Sequence, residues 1–199
     1  MTVRVGVLAS GRGTNLQALI DHFAALGENS RAQIVLVASN RPNAPALDRA
    51  RNASISAETF DAADDGCGLL TLLESHRIDL LVLAGYMKRI PPSVVREFHG
   101  RIVNVHPGLL PEFGGAGMYG ARVHKAVLAA GARTTGVTVH LVDNEFDHGP
   151  IVAQWRVRVY EDDTVETLAA RVLEVEHAIY PRAVEMVASL NERKLFADF

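Results

Sequence analysis

The chain has 199 residues, 48% of them hydrophobic, which suits one ordinary domain with a packed core. Its formal net charge of −3 supplies no basic stripe for nucleic acid or an anionic membrane, and no apolar run approaches the roughly 20 residues of a membrane helix. The single cysteine, Cys67, rules out an internal disulfide and a thiolate metal cluster, and it reads as a bystander because no basic neighbour activates it.

In chain order, Val3–Leu8 predicts a strand, and Leu16, Leu19, Ile20 and Phe23 follow at helical spacing. Ile34–Ala38 predicts a second strand, with Ala46, Leu47 and Ala50 on a short helix after it. Ile55–Phe60 reads as a brief edge strand, Leu69–Leu73 as a helix, Leu80–Ala84 as a strand, Val94–Phe98 as a helix after a double proline, and Ile102–Val105 as another strand. Such alternation, with uninterrupted apolar strands, implies an open Rossmann-like α/β sheet, mostly parallel, with helices on both faces. The pattern then changes. Thr134–Val142 and Ile151–Tyr160 are long β-rich segments joined by Asp143–Pro150, an antiparallel or mixed extension of the sheet. A long helix closes the chain, with Asp163 as N-cap paired to Glu166, an apolar stripe at Val165, Leu168, Ala169, Val172 and Ile179, and a bend or stop at Pro181. No linker or repeat interrupts residues 1–199, so a single domain is expected, and with no charged or long apolar leader its expected compartment is a reducing cytoplasm.

Between the first strand and the first helix lies Ser10-Gly11-Arg12-Gly13-Thr14-Asn15. Glycines there let the backbone approach a ligand, and exposed amides at the helix start favour a phosphate; the bland alternative is a tight turn without a ligand. A dinucleotide fingerprint would need Gly or Ala where Leu16 stands, and Ser39-Asn40-Arg41 replaces the acidic ribose contact, so an NADP site remains the rival to be decided elsewhere.

Asn104-Val105-His106-Pro107 ends a predicted strand, so the Asn104 and His106 side chains project on one side, an amide and an imidazole at the strand's carboxyl end. Asp147 lies in the polar turn Asn144–Pro150, where a carboxylate is ordinarily solvated. Glu176 shares a helix face with Val172 and Ile179, an expensive place for a carboxylate unless it is paired. His140 alternates with Thr138 and Val142, either as support for a site or as a satisfied core histidine.

Together, Ser10–Gln17, Leu83-Ala84-Gly85-Tyr86-Met87, Asn104–Pro111, Gly136–His140, Phe146–Pro150 and Glu176–Pro181 resemble the folate-dependent phosphoribosylglycinamide formyltransferases over essentially the whole chain. The resemblance implies the formyltransferase fold, with 10-formyltetrahydrofolate as co-substrate, phosphoribosylglycinamide as acceptor, no metal, no nucleic-acid or membrane partner, and a monomer or homodimer. It implies that Asn104, His106 and Asp147 are the catalytic trio, and that Gly11, Arg12, Gly13, Thr14 and Asn15 hold the substrate phosphate. It places Glu176 against the ribose or glycinamide end, and Met87, Lys88, Arg89, Ile90, Asn104 and the loop Asp143, Asn144, Glu145, Phe146, Asp147 around the folate. Two segments depart from the pattern. Glu112–Gly120 is glycine-rich and is expected to be mobile and to cover the bound substrates, and Ala62-Ala63-Asp64 stands where some members of the family carry an arginine for the folate tail, so that tail recognition is expected to be either weaker or supplied by Lys88, Arg89 or another residue. Rivals within the same chemistry are formyltetrahydrofolate hydrolase and other folate-dependent formyltransferases; from another class, an NADP-dependent reductase would leave Asn104, His106 and Asp147 without a task.

Overall fold

The computed structural model describes residues 2–191. The run Leu80-Leu81-Val82-Leu83 is buried throughout, with Leu80 and Val82 in one apolar cluster and Leu81 and Leu83 in a second. A strand distributes alternate side chains this way only when both faces of its sheet are covered.

The sheet comprises β1 (Val3–Leu8), β2 (Ala32–Ser39), β3 (Ser56–Thr59), β4 (Leu80–Leu83), β5 (Ile102–His106), β6 (Thr134–Leu141) and β7 (Ile151–Arg158), in the order β3-β2-β1-β4-β5-β6-β7. The first five strands pair in parallel, while β6 runs antiparallel to β5 and β7 antiparallel to β6. One face carries α1 (Thr14–Leu26), α2 (Pro45–Asn52), α5 (Ala121–Ala129) and α6 (Val165–Asn191); the other carries α3 (Cys67–Ser75) and α4 (Pro92–Glu97). This is the mostly parallel sheet with an antiparallel extension that the hydrophobic pattern predicts.

Helix α5 is absent from the sequence reading. A glycine-rich stretch precedes it, and its buried face offers only Val123, His124 and Val127 as a periodic signal. The expected cap of the last helix also differs. Thr164 and Thr167 exchange main-chain to hydroxyl bonds of 2.9 and 3.2 Å at its start, forming a reciprocal capping pair. Asp163 instead receives both ends of the Arg171 guanidinium at 2.7 Å and the amide of Tyr160 at 2.8 Å, which hold its carboxyl well below the usual range.

Pro181 does not end α6. The helix continues because Tyr180, Ala183, Val184, Val187 and Ala188 all pack into the core, and tertiary burial outweighs one missing main-chain bond. Tyr180 is fully buried, and its hydroxyl points at the carbonyls of Leu83 (2.9 Å) and Val103 (3.1 Å), fixing the helix to β4 and β5. Burial pushes its ionisation well above the ordinary tyrosine value, so it remains a donor.

Tyr180→Phe should lower stability by about 1–2 kcal/mol, since two carbonyls lose a buried donor. Thr164→Ala should cost about 1 kcal/mol for the lost cap. Urea denaturation at neutral pH measures both, and an unchanged midpoint for Tyr180→Phe would show that the hydroxyl does not anchor the helix.

Candidate active site

Strand β1 is the point at which the chain reverses its direction of travel across the sheet: it runs outward to β2 and β3, then returns to place β4 on the other side. Loops leaving β1 and β4 therefore diverge and open a crevice at the strands' carboxyl ends. A cleft of about 580 Å³ lies there, a volume suited to small-molecule substrates. Its walls include Gly11, Arg12, Gly13, Thr14 and Asn15 after β1, Met87, Lys88, Arg89 and Ile90 after β4, and Asn104 and His106 at the end of β5. His140 of β6, Asp143, Glu145, Phe146 and Asp147 of the following loop, and Glu176 of α6 complete them. Asn144 does not line the cleft; its carbonyl accepts a hydrogen bond from the Arg89 guanidinium. Arg41, the residue an NADP site would use, is also absent from these walls.

Gly13 caps α1 in the left-handed region with φ 70°, and a Cβ there would sit 2.8 Å from the Cβ of Ala46. Both constraints require glycine. No side chain caps this helix start, so its first-turn amides face the cleft unsatisfied by the usual hydroxyl or carboxylate.

The trio converges. Asp147 Oδ2 lies 3.3 Å from His106 Nδ1 and accepts the Gly115 amide at 3.1 Å, while Asp147 Oδ1 is 3.6 Å from His140 Nε2. Burial acts to raise the Asp147 pKa, but the two imidazoles, the charge on His106 and the Gly115 amide outweigh it and hold the carboxyl well below the usual range. Its backbone is left-handed at φ 54°, a conformation aspartate tolerates better than most residues, and this turns the side chain inward. His106 Nε2 meets the Phe113 carbonyl at 2.7 Å. Both neighbours of this ring are acceptors, so it donates to both only in its doubly protonated form.

His140 is the residue for which two roles stood open. Its Nδ1 meets its neighbour's carbonyl, that of Leu141, at 2.8 Å, which leaves Nε2 to accept from Asn104 Nδ2 at 3.1 Å. That pairing turns the Asn104 NH2, and not its carbonyl, toward β6, leaving one amide hydrogen for a ligand.

Glu176 is buried, with 7% of its surface exposed, and its Oε2 accepts from Asn15 Nδ2 at 2.5 Å. Burial pushes its pKa up to about 7, opposed by the Asn15 bond and the charge on His106. Asn15 Oδ1 has no partner among the described residues.

His124 escaped the sequence reading, and Ser10 entered it only as the first residue of the β1 turn. Buried His124 of α5 lines the cleft with Nδ1 unpartnered among the described residues, its pKa lowered by burial and by the charge on His106. Its only sequence signal was a histidine on a short apolar face. Ser10 donates to Asn40 Oδ1 at 2.8 Å and accepts the Met87 amide at 3.2 Å, so it ties the β1 turn to the β4 loop. The glycine-rich segment folds over the trio, tethered by the Gly115 and Phe113 contacts and by Arg122 stacked on Tyr119. Asp64 accepts hydrogen bonds from the amides of Gly66 and Gly68 at the start of α3.

Glu176 supplies a linkage test. Its folded pKa of about 7 exceeds the ordinary 4.5, so the folded state holds this proton more tightly. The associated stability is complete below the ordinary value and disappears as pH rises through 7. Glu176→Gln should abolish that loss, which is on the order of 3 kcal/mol. Denaturant titrations at pH 5 and pH 8 should show the two proteins converging at low pH and diverging at high pH; parallel behaviour would refute the buried-proton account.

Residues 3–184 match the family model described as formyl transferase. The chain is 40% identical to the chloroplastic phosphoribosylglycinamide formyltransferase of Vigna unguiculata, over 96% of this chain and 62% of that protein. It is 42% identical to the trifunctional purine biosynthetic protein adenosine-3 of Gallus gallus, over 94% of this chain and 18% of that one. The chain thus spans less than two thirds of either relative. Among solved structures, the phosphoribosylglycinamide formyltransferase of Anaplasma phagocytophilum superposes with a TM-score of 0.87 at 38% identity, covering 95% of this chain and 88% of the other. With a sheet of the same topology class and a matched segment that contains every residue of the cleft, the chain belongs to the formyl transferase family.

Proposed function

We propose that the protein transfers the formyl group of 10-formyltetrahydrofolate to the amine of 5′-phosphoribosylglycinamide, giving the N-formyl product and tetrahydrofolate in purine synthesis. The observation that carries this reading is the meeting of Asn104, His106 and Asp147 on one wall of a cleft whose opposite end is an uncapped helix start. The names of the relatives point the same way.

A neutral amine attacks the formyl carbon, and negative charge builds on the formyl oxygen. The free Asn104 amide hydrogen and the His106 imidazole are the donors for that oxygen; His106 reaches it by exchanging the Phe113 carbonyl for the substrate. The attacking nitrogen must also lose a proton while the departing folate nitrogen gains one, and Asp147 is the carboxylate at hand. A carboxylate held so far below its usual range is a poor proton acceptor at neutral pH. Its role in this mechanism is to fix His106 and to order the water that carries the proton.

The phosphate binds at the amides of Gly11 to Asn15, and Glu176 with the unpartnered Asn15 oxygen takes the ribose or glycinamide hydrogens. Met87 and Phe146, 43% and 48% exposed at the cleft, offer apolar surface for the flat folate rings, with Ile90 beneath and Lys88 and Arg89 for the anionic tail. The reaction requires no metal. We assign residues 1–199 to a single catalytic domain, acting on small molecules as a monomer or homodimer in the cytoplasm; no helix among the described residues is long and apolar enough to cross a membrane.

The test combines purified protein, 10-formyltetrahydrofolate and phosphoribosylglycinamide, read by folate absorbance. His106→Ala should reduce turnover by about 10²–10³-fold, the loss of one donor to the developing oxyanion, with the melting temperature retained. Formyl loss that proceeds equally well without the amine would instead identify a hydrolase. Ionised Glu176 is the better acceptor, so KM for phosphoribosylglycinamide should fall as pH rises through about 7, and Glu176→Gln should flatten that profile.

A further inference from the structure

The glycine that lets the β1 turn approach a phosphate also leaves its peptide planes free to point either way. Whatever fixes them decides whether the cleft meets amide hydrogens or carbonyl oxygens. Two bonds from α2 provide that decision. The Ala46 amide donates to the Gly11 carbonyl at 3.2 Å, and Arg49 Nε donates to the Arg12 carbonyl at 2.8 Å. Arg49 is itself held, because its Nη1 donates to Gln17 Oε1 at 3.0 Å on the first turn of α1. It lies half-buried against Gly13, with a Cβ at that glycine only 3.3 Å from Arg49 Cδ.

In a trans peptide the carbonyl and the following amide point in opposite directions. With the Arg12 oxygen turned toward Arg49, the Gly13 N–H is directed away from α2. Gly13 lines the cleft and Arg49 does not, and no hydrogen bond among the described residues uses the amide of Arg12 or Gly13. We propose that Arg49 is a positioning residue for phosphate recognition: by gripping the Arg12 carbonyl from behind, it aims the Gly13 amide at the bound phosphate. The proposal rests on the reading of this turn as the substrate phosphate site. Without that grip the 12–13 peptide is free to rotate and present its oxygen to an anion, which repels it. The guanidinium suits the task because its planar fork bonds the carbonyl and Gln17 together, a geometry that a lysine ammonium does not reproduce.

The experiment compares wild type, Arg49→Ala, Arg49→Lys and Gln17→Ala on phosphoribosylglycinamide and on its dephosphorylated riboside, with melting temperatures as a fold control. Arg49→Ala should raise KM for the phosphorylated substrate by about ten- to a hundredfold, the scale of one charge-assisted hydrogen bond. Its kcat, its KM for the folate and its kcat/KM on the riboside should stay near wild type. Arg49→Lys should remain close to Arg49→Ala, and Gln17→Ala should shift KM less in the same direction. Restoration by lysine would overturn the proposal in favour of simple charge attraction. Equal losses on both substrates, or an unchanged KM in Arg49→Ala, would also overturn it. Wild type that handles both substrates alike would remove the phosphate reading itself, and that result is visible before any variant is made.

Discussion

The architecture of the site follows from one constraint, the satisfaction of a carboxylate drawn into the protein. Asp147 keeps only 11% of its side-chain surface exposed, so it must be matched by donors. The Gly115 amide of the glycine-rich loop and His106 on β5 supply them, and the His140 ring of β6 packs beside the same carboxylate at 3.6 Å. One anion thereby holds together the end of the parallel sheet, the start of its antiparallel extension and the segment lying over the cleft. His140 passes that order on to Asn104, because the bond to the Leu141 carbonyl sets which ring nitrogen is free.

The second carboxylate of the cleft behaves in the opposite way for the same physical reason. Glu176 is also buried, but its neutralising contacts are one side-chain amide and the more distant charge of His106. Burial wins there and loses at Asp147. Two acids within one cleft are thus separated into a permanent anion and a group that titrates near neutrality. Helix α6 places Glu176 one turn before Tyr180, whose hydroxyl fixes the helix to the ends of β4 and β5. The sheet that positions Asn104 and His106 therefore also positions Glu176.

Recognition and chemistry are divided along the sheet. The reversal at β1 and β4 supplies the glycine-rich turn that we propose as the phosphate site, and α2 grips that turn from outside the cleft. The antiparallel extension supplies Asp147 and His140. Ser10 links the β1 turn to the β4 loop, so the two halves do not vary independently.

Most of the fold was legible in the sequence because buried strands leave uninterrupted apolar runs such as Leu80–Leu83, and an uncovered sheet does not tolerate them. The glycines of the β1 turn and the Asn104–His106 alternation were legible for a similar reason: their geometry is local. Residues joined by nothing local were not. Asp147 looked like an ordinary solvated turn carboxylate until β6 folded back on β5; Arg49 and His124 carried no spacing signal, and family likeness alone marked Asp147, whereas Glu176 also stood out as a carboxylate on an apolar helix face. Helix α5 and the Thr164–Thr167 cap were hidden because short helices and competing caps are chosen by packing. The sequence by itself determined the elements and their buried faces, since periodicity is written in adjacent residues. Tertiary structure alone decided which polar groups meet, because the charge state and direction of each depend on partners as far apart in the chain as Asn15 and Glu176.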